Sequence, residues 1–253
     1  MSNAALRLSI VNSIATLSLC NPHRHNALGA AEVATFIRLL GEVASTPSVR
    51  VLIITNPDGN SFCAGAALDE IGSGQLTSNQ FAALPETIAS LRIPTIAAMN
   101  GSAFGGGAEL ALSCDFRIGI PHMRLHVPPA KIGLCYPVGG IQRFVNILGV
   151  STAKRLLLAN EEFSGEALLN LGFLTHLAPK DNLPATALAM AEKIAGLAPL
   201  AIATMKQLCD HLSAGTIDPA AALQLEVECN ASDDLKEGLA AVLAKRMPKF
   251  TGS

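Results

Sequence analysis

Charged residues are scarce in this chain: they make up 15% of its 253 residues, and the net charge is −2 at pH 7. Neither a run of lysines and arginines nor a tryptophan occurs. A protein that binds nucleic acid through the phosphates needs a basic surface, so this composition argues against nucleic acid as the main partner. It does not exclude a phosphorylated small molecule.

Long apolar runs are absent as well. No stretch of 18 apolar residues occurs, and we therefore expect no membrane insertion. The first residues, MSNAALRLSIV, lack a basic segment followed by a long apolar run. We therefore expect no signal peptide.

Cysteine pairs of the C-x-x-C type are also missing. The spacing gives no indication of a disulfide framework or a zinc site, so we expect no metal, and reduced thiols in a cytoplasm fit it best. The six cysteines are Cys20, Cys63, Cys114, Cys135, Cys209 and Cys229.

Apolar residues, by contrast, are abundant: they form 50% of the chain, and the mean hydropathy is +0.39. A chain of this length and composition buries a large core, in one large domain or in one domain with a helical appendage. Because few charges remain for the surface, we expect part of that surface to be buried between subunits.

Apolar strands alternate with helical patterns over the first half of the chain. The segments VRVLIIT and PTIAAMN are continuous apolar runs, typical of strands buried on both faces of a parallel sheet. We predict an α/β fold whose loops at the carboxyl ends of the strands build the site, followed by a mostly helical region from about residue 139. The predicted strands are 5–11 and 13–19, which form a hairpin around Asn12, then 49–55, 94–100 and 116–120. The predicted helices are 29–44, 77–91, 105–113, 139–158, 164–171, 184–197, 199–215 and 218–245.

Two segments of small residues follow buried strands: SFCAGAAL at 61–68 and NGSAFGGGAELAL at 100–112. Glycine and alanine leave backbone N–H groups uncovered, and two such groups aimed at one point make an oxyanion hole. Glu109 lies three residues after Gly106, on the same face of the predicted helix. On these residues alone, a glycine run is equally typical of close packing between a helix and a strand, with Glu109 as an ordinary first-turn carboxylate.

Taken in order, several segments resemble the crotonase superfamily, the enoyl-CoA hydratase/isomerase family. The resemblance implies an α/β core of stacked ββα turns at 1–195 and a C-terminal helical trimerisation region at 196–253. It also implies homotrimers or dimers of trimers, acyl-CoA thioesters as substrates, and no cofactor besides the coenzyme A of the substrate. The segments are NPHRHNAL, SFCAGAAL, NGSAFGGGAELALSCD, PPAKIGLCYPVGGIQRF, APLAIATMKQL and DLKEGLAAVLAKRMPKF.

The same resemblance assigns roles to individual residues. The backbone N–H groups of Ala66 and Gly106 match the two donors that bind the enolate oxygen of the thioester, and Glu109 matches the family's first catalytic glutamate. Arg24 is the best candidate for a phosphate of coenzyme A. The residues expected to contact coenzyme A are His23, Arg24, His25, Ala64, Ala66 and Leu68, with Lys249 and Phe250 approaching the coenzyme A of a neighbouring subunit.

Two departures from the family pattern leave the reaction open. Pro129 stands where the hydratases carry their second glutamate, and Ala67 replaces an aspartate that is common after the first donor. Tyr136 resembles a tyrosine of methylmalonyl-CoA decarboxylase, a relative that carries histidine at the position of Ala66. Three hypotheses follow: an enoyl-CoA hydratase-type lyase that uses Glu109, a decarboxylase that orients a leaving carboxylate with Tyr136, and an acyl-CoA-binding protein with little catalysis.

Other residues near these segments have simpler interpretations. Tyr136 is also consistent with a packed tyrosine whose hydroxyl is satisfied. His126 precedes the expected catalytic position by three residues, either as a substitute base or as a structural histidine. We expect Cys63 and Cys135 to be inert core residues, because no neighbouring histidine or lysine is evident to lower a thiol pKa.

Overall fold

A hairpin opens the fold, as predicted. The computed structural model describes residues 5–253. Residues 1–4 lie outside the described residues, and so does the start of the segment in which we expect no signal peptide. Strand β1 (Leu6–Val11) pairs antiparallel with β2 (Ile14–Leu19). Asn12 lies between them in the left-handed conformation, with φ of 54°. Asparagine tolerates this conformation better than other non-glycine residues, so the turn is fixed locally.

Two sheets make up the core of the described chain. The first has the order β1-β2-β3-β5-β7-β10 and is parallel from β2 onward. Its apolar strands β3 and β5 confirm the predicted buried strands. The remaining strands are β3 (Val51–Thr55), β4 (Ser61–Cys63), β5 (Thr95–Met99), β6 (Ser102–Phe104), β7 (Phe116–Gly119), β8 (Arg124–His126), β9 (Phe163–Ser164) and β10 (His176–Leu177).

The second sheet, in the order β4-β6-β8-β9, has no counterpart in the sequence prediction. Strands of two or three residues are too short to show an alternating pattern, which explains why they were not recognised. At β3–β4, β5–β6 and β7–β8 the chain passes from a strand of the first sheet to a strand of the second and then to a helix. This repeated ββα unit confirms the predicted fold class.

Helices cover the sheets and form the C-terminal region. They are α1 (Ala30–Ala44), α2 (Leu68–Ser73), α3 (Ser78–Ala89), α4 (Gly106–Leu112), α5 (Val138–Leu157), α6 (Gly165–Asn170), α7 (Leu183–Ala195), α8 (Pro199–Ala214), α9 (Pro219–Asn230) and α10 (Asp233–Leu243).

Three helical predictions need correction. The single helix predicted at 218–245 is wrong, because Ser232 caps a new helix by accepting a hydrogen bond from Leu235 N and so separates α9 from α10. The helix predicted at 139–158 is interrupted at Gly149, which has φ of 74° and ψ of 159°. The short helix α2 was not predicted.

The C-terminal helices lie against the core through a few polar contacts. Lys206 on α8 forms an ion pair with Asp115, and the Arg50 guanidinium donates to the carbonyl oxygen of Phe250 at 2.7 Å. α7 packs on β3 and β5, so the core reaches at least to Ala195. The division into 1–195 and 196–253 stays a prediction.

Between residues 5 and 253 no single helix is long and apolar enough to cross a membrane, although Lys180–Ala195 and Pro199–Ala214 meet that criterion together as a pair bent by 106°.

A glycine in α4 sets the spacing between this helix and β4, and its substitution tests that spacing. A Cβ atom at Gly107 would overlap the carbonyl oxygen of Cys63, whereas a Cβ atom at the exposed helical Gly41 would meet nothing within 4 Å. We expect Gly107→Ala to lower the free energy of unfolding in urea by about 1–3 kcal/mol. The matched variant Gly41→Ala should raise it by about 0.5–1 kcal/mol. Equal stability of Gly107→Ala and the unmodified protein would contradict this close packing.

Candidate active site

The two small-residue segments meet in the structure. Ala64 to Ala67 continue from β4, and Gly105 follows β6. Gly65 has φ of +85°, and a Cβ atom there would lie 2.6 Å from the backbone nitrogen of Gly106. Only glycine combines this conformation with so close an approach of two main chains.

The backbone N–H groups of Ala66 and Gly106 are free of protein acceptors among residues 5–253. On either side of Ala66, Leu28 N donates to Gly65 O at 2.8 Å and Ala67 N donates to Leu28 O at 2.9 Å, so the strand-like segment is held in place. Gly106 is the first residue of α4, where an N–H group has no acceptor within the helix. The predicted pair of donors is therefore adjacent, half-buried and available, although its role stays a prediction.

Glu109 lies on the same helix as Gly106 and is almost fully buried, with 2% of its surface exposed. Its Oε1 accepts a hydrogen bond from Arg143 Nη1 at 2.9 Å. Burial raises the pKa of the Glu109 carboxyl, while the neighbouring Tyr136 hydroxyl and the positive charge of Arg143 act in the opposite direction. A carboxyl with a raised pKa can both accept and return a proton near neutral pH.

Tyr136 lies directly beside this carboxyl. Its hydroxyl donates to Gly105 O at 3.4 Å, and its ring packs edge-on against Phe144 with centroids 5.9 Å apart. Burial, together with the charge of Glu109, raises the pKa of Tyr136 well above its usual value, so the phenol stays neutral. A Cβ atom at Gly140 would lie 2.5 Å from Tyr136 Cε1 and 2.8 Å from Glu109 Oε1, so this glycine makes room for both side chains.

The position of the missing second glutamate is filled by a packed residue. Pro129 is buried at the start of a short 3-10 helix, Pro129–Ile132. His126 Nε2 is paired with Asn160 Oδ1 at 2.9 Å, which supports the structural interpretation of this histidine.

The cysteines near the site differ from each other. Cys63 is buried, its thiol donates to Asn26 O at 3.2 Å, and burial raises its pKa to about 12, as expected for an inert core thiol. The expectation that Cys135 is a core residue is wrong, because its side chain is exposed in the loop before α5.

The predicted coenzyme A loop is fastened to the first small-residue segment. Ala64 N donates to His25 O at 3.0 Å, while His23 and Arg24 are exposed. Arg24 Nη2 donates to both carboxylate oxygens of Asp69 at 2.9 Å. A phosphate that binds Arg24 therefore has to compete with this carboxylate.

A cavity of about 1070 Å³ opens next to this loop. Ala64 and Ser61 form part of its wall, and Leu68 lies exposed at the start of α2 nearby in the chain. Its basic lining residues are His25, His122, Arg124 and Lys180. Lys180 and Arg124, the latter paired with Glu162 at 3.4 Å, bring positive charge to this cavity beside the small-residue segments, and such charge suits a substrate with phosphate groups.

Lys249 and Phe250 lie at the opposite end of the first sheet. Phe250 O is bound by Arg50, which precedes β3, whereas Ala66 comes beyond the carboxyl end of that strand. Within one chain these two residues are therefore remote from the small-residue segments. Their contact with the coenzyme A of a neighbouring subunit stays a prediction.

Two structural features of the site were not predicted. Arg143 lies 34 positions after Glu109 in the sequence, and no local pattern links the two, although Arg143 falls within the segment PPAKIGLCYPVGGIQRF.

Asn26 is the second unpredicted feature. It is buried and holds the coenzyme A loop to β4, because its Nδ2 donates to Ser61 O at 2.9 Å and to Phe62 O at 3.1 Å. A polar residue in a Pro- and Asn-rich loop gives no sign of burial.

The fold and the site define a class, an acyl-CoA thioester enzyme of the crotonase type. A family model described as enoyl-CoA hydratase/isomerase matches residues 9–253, and the chain belongs to this family. It is 33% identical to mouse enoyl-CoA hydratase domain-containing protein 2, mitochondrial, over 94% of this chain and 84% of that protein. It is 30% identical to the short-chain-enoyl-CoA hydratase of Clostridium acetobutylicum, over 92% of each chain.

A solved structure supports the same relationship. The chain superimposes on an enoyl-CoA hydratase from Bacillus anthracis with a TM-score of 0.90 and 28% identity, covering 98% of this chain and 100% of that one. These comparisons make the chain an acyl-CoA enzyme of hydratase type, and they do not favour the decarboxylase or the binding-only hypothesis.

Proposed function

We propose that this protein adds water across the double bond of an enoyl-CoA thioester. Ala66 N and Gly106 N bind the thioester oxygen, and Glu109 is the acid and base. The observation that carries this proposal is the position of Glu109, buried on the helix whose first N–H group is one of the two adjacent free donors.

The reaction balances with one carboxylate. Ionised Glu109 takes a proton from water as the water oxygen bonds to C3, and the electron pair of the double bond moves through C2 onto the thioester oxygen. The two backbone donors stabilise the resulting enolate, at about 3 kcal/mol for each donor. Protonated Glu109 then returns its proton to C2 as the enolate collapses, which regenerates the carboxylate and the thioester.

Pro129 limits this chemistry. In a two-glutamate site one carboxylate deprotonates water while the other delivers a proton, whereas here Glu109 has to do both. Tyr136 provides a neutral hydroxyl beside Glu109. We infer a slower hydratase than a two-carboxylate enzyme would be.

Replacement of the carboxyl tests this assignment. We expect Glu109→Gln to lower kcat for crotonyl-CoA hydration by about 10²–10⁴-fold, because the amide cannot take the proton of water. Loss of thioester absorbance measures the rate, and calorimetric titration should give an unchanged Kd for a non-reactive acyl-CoA. The control Glu161→Gln, in an exposed ion pair with Arg155, should keep full activity. Hydration that survives Glu109→Gln would refute the proposed role.

We also propose that the nucleotide end of coenzyme A lies against Arg24 and the basic cavity. Support comes from the contact between the His25 loop and Ala64, and from the four basic residues that line the cavity. No further cofactor is part of this proposal.

The ion pair of Arg24 and Asp69 provides a measurable sign of that contact. The two side chains are 41% and 71% exposed. Asp69→Asn should lower KM for crotonyl-CoA and Arg24→Ala should raise it, each by about two- to fivefold, since an exposed charge pair contributes about 0.2–1 kcal/mol. The pantetheine thioester of the same acyl group lacks the nucleotide phosphates and should show no change. Equal effects on both substrates would contradict a phosphate contact at Arg24.

Apolar side chains on the C-terminal helices support a homotrimer or a dimer of trimers. Large exposed apolar residues on three consecutive helices are typical of a subunit interface. We propose that this surface is buried between copies of the chain. We also propose that the protein works in a reducing compartment such as the cytoplasm, in keeping with its free cysteines. The exposed residues on α8 to α10 are Met205, Leu212, Leu223, Val227, Leu235, Leu239, Val242 and Leu243.

A further inference from the structure

One charged side chain in the site has no part in the reaction described above. The guanidinium of Arg143, with its side chain 13% exposed, lies between two carboxylates. Nη1 donates to Glu109 Oε1 at 2.9 Å, and Nη2 donates to Glu86 Oε1 at 2.9 Å. The planar guanidinium offers two parallel donors at a fixed separation, so contact with both partners fixes its position.

The three charges form a row from the interior to the surface. The side chain of Glu109 is 3% exposed, that of Arg143 is 13% exposed and that of Glu86 is 59% exposed. α4, α5 and α3 each contribute one member of the row, so the contact also ties three helices together. A buried carboxylate without a partner would be costly, and Arg143 is the partner here.

Few other titratable groups face Glu109 from the elements packed against α4. α3 contributes Glu86, α5 contributes Arg143, and the loop before α5 contributes Tyr136. Cys63 on β4 turns its thiol to Asn26 O, and β6 carries only Ser, Ala and Phe. The protonation of Glu109 therefore depends on a short set of neighbours.

We propose that Arg143 is a positioning residue for the hydration, which fixes and ionises Glu109, and that Glu86 holds the guanidinium in place from the surface. This inference rests on the proposed function. A single carboxylate that both takes and returns the proton has to be held in one orientation, since a misplacement of about 1 Å can cost about 10²-fold in rate. The Arg143–Glu86 pair supplies that support in a site where Pro129 stands at the position of the second glutamate.

Arg143 and Glu86 have opposite effects on Glu109. Arg143 lowers the pKa of the Glu109 carboxyl, and the charge of Glu86 raises it. Hydration needs ionised Glu109, so activity falls as the pH drops through this pKa. Loss of Arg143 should therefore move the acid limb of the kcat/KM profile to higher pH, and loss of Glu86 should move it to lower pH.

The experiment compares pH profiles for crotonyl-CoA hydration by the purified protein in its native state of assembly. Arg143→Gln should lower kcat by about 10²-fold and shift the acid limb upward. Arg143→Lys keeps the charge but cannot place one donor on each carboxylate, so it should restore the position of the acid limb more than kcat. Glu86→Gln keeps an oxygen acceptor for the guanidinium and removes only the negative charge, so it should shift the limb downward. Arg155→Gln, which breaks an exposed ion pair at the far end of α5, is the matched control and should leave the profile unchanged.

A second readout separates this inference from the proposed function. The Glu109 carboxyl is followed by ¹³C NMR in glutamate-labelled protein, with its resonance assigned by its loss in Glu109→Gln. A titration midpoint that rises in Arg143→Gln and falls in Glu86→Gln supports the positioning role even if crotonyl-CoA is not hydrated, in which case only the proposed reaction fails. Unmoved midpoints, or shifts of the same sign in both variants, would overturn the inference.

Discussion

The close approach of two backbone segments is the constraint on which this structure depends. Gly65 and Gly107 let the end of β4 and the start of α4 approach more closely than any side chain would allow. The buried parallel strands β3 and β5 set the distance between the successive ββα turns, and the short strands β4 and β6 carry the two segments to the same point. The two free backbone donors are thus a consequence of strand register and of the missing Cβ atoms, with no charged side chain involved.

Burial of one carboxyl is the second determinant of the site. Desolvation of Glu109 disfavours its charged form, and Tyr136 and Arg143 restore part of the lost stabilisation. A two-glutamate hydratase divides its proton transfers between two groups. In the proposed mechanism Glu109 makes both transfers, and Arg143, held by Glu86, fixes its carboxyl, so a contact among three helices supports the site.

Much of this architecture follows from local sequence patterns, and the exceptions have physical reasons. The apolar runs at 49–55 and 94–100 predict the central strands. The two small-residue segments predict where two backbone segments of the chain approach each other. The second sheet escapes prediction because strands as short as β4 have too few residues for a period. Arg143 escapes it because only the tertiary fold brings α5 against α4. Ser232, a common helix N-cap, marks a break that the apolar pattern of 218–245 obscures.

The central claim is that backbone N–H groups, and not side chains, bind the thioester oxygen. The most direct test is the infrared difference spectrum of a crotonyl-CoA analogue labelled with ¹³C at the thioester carbonyl and bound to Glu109→Gln, in which turnover is suppressed. Two hydrogen bonds from Ala66 N and Gly106 N should move the carbonyl stretch to lower wavenumber than in water. A bound carbonyl that vibrates at the frequency of the free thioester would contradict an oxyanion hole at this position.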